Sequence, residues 1–476
     1  MMVGIKLNNF QFRYEVYHII DLFFEDTIQF VEEDYDYRID IFDNELTCNR
    51  NDGSSYIYKF HQKLNIKQNI KKGIFLYLSN ITGKELPWGT LIGIRPTKKA
   101  IDLLDSGYSE EDIVSYFNEH NCTRVDKARL CIDVGKVERH FVNKDENAIS
   151  VYVGMPFCPT RCLYCSFISD TIYSCRKIIN EYLDAMYYEI EKLASFINEK
   201  GLKIECVYFG GGTPTSVTDE QFEETMKRVY SNFVQDKNIK EFTVECGRPD
   251  TLSISKFDTM KKYGVNRISI NPQTMNDDIL KLIGRNHSAN DVKEMFYLAR
   301  KLGFHNINMD IIIGLPGEGL RHVRNTCTEI AALNPESITV HGMSVKRGSK
   351  LHENMQKNIK LKVASQQELN EMYEETSVLA ERLNMKPYYM YRQKNMVGNM
   401  ENVGYSKPGK ECIYNIEMIE EKQTIAAIGA HSVSKVIFLS ENRIERFANV
   451  KDVREYINRI KEKVDSKIQF FRTLYN

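Results

Sequence analysis

The stretch VYVGMPFCPTRCLYCSF, from Val151 to Phe167, decides how this chain is read. It opens in an apolar strand, SVYVG at 150–154, and passes at once into a loop carrying Cys158, Cys162 and Cys165. The spacing C-x3-C-x2-C is short enough to bring three thiolates to one face of a cluster, and thiolates are the usual ligands of iron–sulfur centres. A four-iron cubane held by three cysteines keeps one iron without a protein ligand, open to a chelating small molecule. The competing readings are a zinc site and a plain turn. Structural zinc usually wants four protein ligands, and no histidine lies nearby to be the fourth. Pro156, Pro159, Phe157, Tyr164 and Phe167 surround the cysteines with bulk that would shield an oxygen-sensitive group.

Downstream of the loop the apolar runs recur. ECVYF (205–209), EFTVE (241–245), NRISI (266–270), NINMDIII (306–313) and SITV (337–340) read as strands. Between them, 177–198, 219–233, 254–263, 290–302 and 319–333 have helical periodicity. Strands alternating with helices predict parallel strands joined by right-handed crossovers. Six such units predict an α/β fold, a partial (β/α)6 barrel, with an open sheet of the same units as its rival. Upstream, 11–17, 36–42 and 73–78 mix β-branched, aromatic and polar residues and read as strands. Ser109 reads as the N-cap of a helix over EEDIVSYFNEH. The expected organisation is an N-terminal α+β domain over 1–145, the barrel over 146–365 and a C-terminal α/β extension over 366–476. In that extension, helices are expected over 368–383 and 450–470, with the strand TIAAIGA at 424–430.

Composition excludes several classes. Lys and Arg number 64 and Asp and Glu 65, so the net charge of -1 gives no basic excess for nucleic acid. No apolar run approaches the roughly 20 residues of a membrane span, and the N-terminus lacks a signal pattern. Eleven scattered cysteines are poor disulfide arithmetic and fit a reducing compartment, so a cytoplasmic protein is expected.

In β/α barrels, ligands gather at the C-terminal ends of the strands. Here those ends carry GGGTPTS (210–216), Glu245, Gln273 and Asp310. Each has a plain reading as well: a tight turn for the glycines, and capped polar groups for the rest.

The cysteine spacing after a first barrel strand resembles the radical S-adenosylmethionine (SAM) superfamily. VYVGMPFC, CLYCSF, GGGTPT, VECGRPD, RISINPQT, IGRNHS and DIIIGLPGE together resemble its coproporphyrinogen III dehydrogenase, or HemN-like, branch over about residues 150–430. The long N-terminal domain and PYYMYRQKNMVGNMENVGYS are similar to the HemZ members of that branch. The resemblance implies a [4Fe–4S] cluster on Cys158, Cys162 and Cys165, and SAM cleaved by one electron to a 5′-deoxyadenosyl radical. It implies that Gly211, Gly212, Thr213 and Glu245 hold the methionyl amino group. Arg285 falls to the SAM carboxylate, Gln273 and Asp310 to ribose or nearby hydroxyls, Gly342 to the adenine and Tyr152 to the sulfonium region. The implied reaction is oxidative decarboxylation of two propionates of coproporphyrinogen III, giving protoporphyrinogen IX. The implied partners are a tetrapyrrole substrate and a reductant such as flavodoxin or ferredoxin, with no nucleic acid and no membrane span.

One position departs from the pattern. The HemN type has a further cysteine two residues after the third ligand, and here that residue is Phe167. HemW-type relatives, which are heme chaperones, share the departure. A heme-delivery protein and a heme-degrading methyltransferase are therefore the alternatives. For delivery, His341 and His431 are candidate heme ligands, against plain hydrogen-bonding roles. In YYMYRQKNM (388–396), aromatics with Arg392 or Lys394 could cover a flat anionic tetrapyrrole, and an ordinary strand packed on the barrel fits equally. Cys246 stands beside Glu245, and its other reading is a small core residue.

Overall fold

The apolar runs from Ala148 onward are buried on both faces, as parallel strands between layers of helices must be. The computed structural model describes residues 2–24, 27–166, 170–346, 349–351, 353, 364–393 and 396–475. Phe167 and Lys394 lie outside them. The chain forms two compact units. One is Met1–Gly135 with Ser365–Asn370 and Tyr391–Glu401, and the other is Lys136–Ala364 with Glu371–Met390 and Asn402–Asn476.

The first unit is α+β. Strands β1 (Met2–Leu7), β2 (Thr27–Phe30), β3 (Tyr37–Ile41), β4 (Glu45–Arg50) and β5 (Ser55–Lys59) form a sheet in the order β2-β1-β3-β4-β5. Helices α1 (Arg13–Ile20) and α2 (Ile66–Thr82) share its core. Two expected strands are corrected here. Residues 11–17 lie in a 3-10 turn and α1, and 73–78 lie inside α2. Phe12, Val16, Ile19, Ile20 and Phe23 are buried at helical spacing. In α2, the Asn65–Gln68 capping box sets the start and Gly83, at φ +65°, ends the helix. Gly73 lets α2 touch the sheet: a Cβ there would stand 2.6 Å from Leu46 and 2.7 Å from Tyr58. Gly73→Ala should therefore destabilise the protein by about 1–3 kcal/mol despite alanine's better helix propensity. Thermal unfolding checks this; a raised Tm would show that the contact has room. The helix Glu110–Asn121 starts at Ser109 as expected, with a Ser109–Asp112 capping box.

The second unit carries the six β/α units. Strands β6 (Ala148–Met155), β7 (Lys203–Gly211), β8 (Glu241–Glu245), β9 (Arg267–Ser269), β10 (Ile307–Ile313) and β11 (Ser337–Gly342) pair in chain order, all parallel. This is the partial (β/α)6 barrel expected. Helices α3 (Ile179–Glu199), α4 (Asp219–Phe233), α5 (Ile254–Lys262), α6 (Ala289–Lys301) and α7 (Leu320–Leu333) make the crossovers. Thr218, Ser253 and Ser288 accept backbone N–H bonds at the starts of α4, α5 and α6.

Later residues extend both edges. Strand β12 (Asn402–Ser406) adds antiparallel to β11, and β13 (Thr424–Ile428) adds parallel to β6. The hairpin Val433–Phe438 and Arg443–Ala448 follows β13, and helix α8 (Val453–Phe471) closes the chain. Because the strands run the same way in register, Met155, Gly211, Glu245 and Gly342 all come to one end of the sheet. Among the described residues no helix is long and apolar enough to cross a membrane.

Candidate active site

The cysteine loop is pinned by backbone bonds from its neighbours. Gly212 N–H donates to Met155 O at 2.6 Å and Thr213 N–H to Phe157 O at 2.8 Å. A Cβ on Gly212 would lie 2.6 Å from Phe157 O, and Gly211 has φ +107°, so this turn needs glycine at both positions. Leu163 N–H donates to Ile283 O at 2.9 Å and Thr160 Oγ1 to Gly284 O at 2.9 Å, tying the loop to the IGRNH segment. Cys162 is 8% exposed, while Cys158 and Cys165 are half-buried. The sulfurs have polar neighbours. Thr213 Oγ1 donates to Cys158 Sγ at 3.4 Å, and an Arg248 guanidinium nitrogen donates to Cys162 Sγ at 3.6 Å. Burial pushes the Lys346 ammonium down, and charge on Cys165 opposes this. Among the described residues no three His, Cys, Asp or Glu side chains stand around a common metal position. The structure thus places the three cysteines in one loop without gathering their sulfurs on a point.

Beside the loop, Glu245 ends β8. Tyr208 donates to one of its oxygens and Gly211 N–H to the other at 3.2 Å. Burial pushes the Glu245 carboxyl up to about 7; repulsion from Asp310 adds to this, while Tyr208 and Gly211 oppose it. Asp310, on β10, accepts from Asn308 Nδ2 at 2.7 Å, with His341 Nε2 at 3.7 Å. Burial opposes its ionisation, but His341, Asn308 and Thr339 outweigh that and hold its carboxyl below the ordinary value. Tyr152, Tyr208 and Tyr414 stack on one another, Tyr208 and Tyr414 with ring centroids 4.4 Å apart, and Tyr208 joins the stack to Glu245.

Gln273 has φ +67°, is held by backbone bonds to Asp310 and Ile312, and keeps Oε1 buried without a partner among the described residues. Arg285 is buried and donates to Asn271 O at 2.7 Å, Gly247 O at 3.2 Å and Tyr164 Oη at 3.4 Å, while its Nε has no partner among the described residues. Gly342 N–H donates to Asn402 Oδ1 at 3.0 Å, one residue beyond the His341 that faces Asp310.

So the structure brings Gly211 to Glu245, Thr213 to Cys158, and Arg285 to the tyrosine inside the cysteine loop. Tyr208, Arg248 and Asn271 belong here too and were missed. Tyr208 was open to discovery, since strand alternation puts it on the same face as Gly210, two residues on, beside the glycine run. Arg248 stands in the VECGRPD run, but its contact with the cysteine loop gave no local signal, because Cys162 and Thr160 lie 86 and 88 residues earlier.

The other candidates have these partners. His341 is engaged with Asp310. Cys246 is a core residue against Met260, its thiol pushed up by burial. Arg392 is buried, donating to Leu91 and Asn399 carbonyls with its guanidinium 5.0 Å from the Trp88 ring centre.

Radical SAM proteins take a [4Fe–4S] cluster and SAM, and the residues present fit both. Three thiols share one loop with hydrogen-bond donors and cations around their sulfurs. A turn that tolerates no Cβ, a carboxyl, and the orphaned Gln273 Oε1 and Arg285 Nε suit a small polar ligand with charges at two ends.

A sequence profile of the radical SAM superfamily matches residues 152–330. Over 411 residues the chain is 40% identical to the oxygen-independent coproporphyrinogen-III oxidase-like protein HemZ of Bacillus subtilis, covering 84% of this chain and 81% of that protein. It is 32% identical to the heme chaperone HemW of the same organism, covering 66% of this chain and 76% of HemW. The solved structure of Escherichia coli coproporphyrinogen III oxidase, HemN, superposes with a TM-score of 0.53 at 21% identity, over 69% of this chain and 72% of that one, a likeness of fold. The chain is a member of the radical SAM superfamily and of the HemN-like branch in which HemZ and HemW are found.

Proposed function

We propose that the chain carries out the oxygen-independent oxidative decarboxylation of coproporphyrinogen III to protoporphyrinogen IX. The observation that carries this reading is the 40% identity to HemZ, which extends well past the barrel to 84% of the chain. Cluster and SAM, when bound, would supply one-electron cleavage and hydrogen-atom abstraction at the propionate β-carbon, after which loss of CO2 and of one electron to a redox-protein acceptor completes each vinyl group. Cys158, Cys162 and Cys165 hold the cluster. Glu245 with Gly211, Gly212 and Thr213 orients the methionyl amino group, and Arg285 pairs with the SAM carboxylate. Gln273 and Asp310 would take ribose or nearby hydroxyls, Gly342 would serve the adenine, and Tyr152 the sulfonium region. In this reading residues 146–365 hold the chemistry and 366–476 cover the tetrapyrrole. A flavodoxin or ferredoxin of the cytoplasm supplies the electron.

Glu245 gives the reading a pH signature. Burial raises its carboxyl to about 7, and an ammonium group favours the ionised form. Below that value SAM must displace a proton, so affinity should fall by up to about tenfold per pH unit. Calorimetric SAM titrations between about pH 5.5 and 7 check this, and Glu245→Gln should flatten the profile. An equal slope in both proteins would remove Glu245 from the site.

A second reading has its own support. Phe167 stands where the HemN type has a cysteine, and the chain is 32% identical to the chaperone HemW. Anaerobic incubation with SAM, a reductant and coproporphyrinogen III, then oxidation of the products, separates the two. Protoporphyrin supports turnover; tight heme binding with no new porphyrin overturns it in favour of delivery.

A further inference from the structure

The VECGRPD segment places a fixed cation against the cluster loop. Arg248 is 3% exposed. One terminal nitrogen donates to Cys162 Sγ at 3.6 Å and to Thr160 Oγ1 at 3.0 Å. Its Nε and other terminal nitrogen grip Asp250 at 3.0 and 3.1 Å. The guanidinium is thus oriented, positive edge toward the sulfur and counter-charge on the far side. Asp250 is kept ionised: burial works against it, but His287 and Arg248 pull its carboxyl far below the ordinary value. The turn is stiff, with Arg248 N–H bonded to Cys246 O and Pro249 buried at the start of the next 3-10 turn.

The geometry points to Arg248 as a positioning residue that raises the reduction potential of the cluster by donating to the Cys162 sulfur. This rests on the reading of Cys162 as a cluster ligand. Reduction adds one negative charge to the cluster. A cation that never deprotonates favours the reduced form, and its effect is large where water is excluded. Hydrogen bonds to the ligand sulfurs act in the same direction. Asp250 holds the fork in place and tempers its charge, so removing either partner should move the potential in opposite directions. A residue that only packs the loop would not produce opposite signs.

The test is a redox titration of the reconstituted cluster, read by visible absorbance and electron paramagnetic resonance (EPR) without SAM or substrate. Iron content of the wild-type protein is measured first. Wild-type protein that takes up no iron defeats the ligand reading, separately from the role of Arg248. Given a cluster, Arg248→Gln should lower the reduced-to-oxidised ratio at fixed potential about tenfold, a shift of about 59 mV for one electron. Arg248→Lys should give a smaller fall, and Asp250→Asn a rise. If Arg248→Gln fails to hold iron, the lysine and Asp250→Asn variants decide. Potentials equal to wild type in both, or shifts of the same sign, overturn the proposal.

Discussion

Alanine in place of Cys158, Cys162 or Cys165 should leave anaerobically reconstituted protein colourless, with iron uptake lost. In the proposed site each thiolate is one of three protein ligands, so its loss should not be made good by the oxygen and nitrogen donors beside it. Thr213 and Arg248 reach the sulfurs as hydrogen-bond donors and cannot bind iron in their place. The fold should survive, because backbone bonds from Gly212, Thr213 and Leu163 hold the loop and none needs a thiol. Circular dichroism unchanged from wild type, with iron analysis near zero, is the expected pair of results. Full iron in all three variants would place the metal elsewhere.

The second large effect is on stability. Lys467 on α8 donates to Glu189 on α3 and to Ala427 O on β13. Both ionic side chains are 1% exposed. Glu189 also accepts from Gly429 N–H at 2.9 Å, Asn449 Nδ2 at 3.0 Å and Tyr456. Burial works against the Glu189 carboxylate, but Lys467, Gly429 and Tyr456 outweigh it and hold it below its ordinary value. Lys467→Met would strand that carboxylate in the core and should cost about 3–5 kcal/mol. Denaturant unfolding measures the loss. Adding Glu189→Gln should recover part of it, and strict additivity of the two would show that the groups do not interact. The sign with pH follows from the depressed carboxyl. Its stabilisation is present above the ordinary value of 4.5 and is lost as pH falls through the lower folded value.

The barrel was legible because its strands are short, largely apolar runs with polar residues at or near their C-terminal ends. β8 ends in Glu245 and β10 carries Asp310, and the observed strands keep to the expected runs. The first unit misled for a local reason. QFRYEVY alternates well enough for a strand, and only Ile19, Ile20 and Phe23, beyond that window, show the helical face. Gly73 read as a strand residue, whereas it marks where α2 meets Leu46 and Tyr58. At the site, residues on strand ends were readable one by one. Bonds between distant segments, such as Arg248 to Cys162 or Arg285 to Tyr164, depend on how the crossovers return, which no local pattern encodes.

The most direct measurement is EPR of the reduced, reconstituted wild-type protein with and without SAM. SAM is expected to change the spectrum of a four-iron cluster, because the proposed three-cysteine site would leave one iron without a protein ligand, able to accept the methionyl group. A cluster spectrum that is the same at saturating SAM would contradict an open iron at Cys158, Cys162 and Cys165.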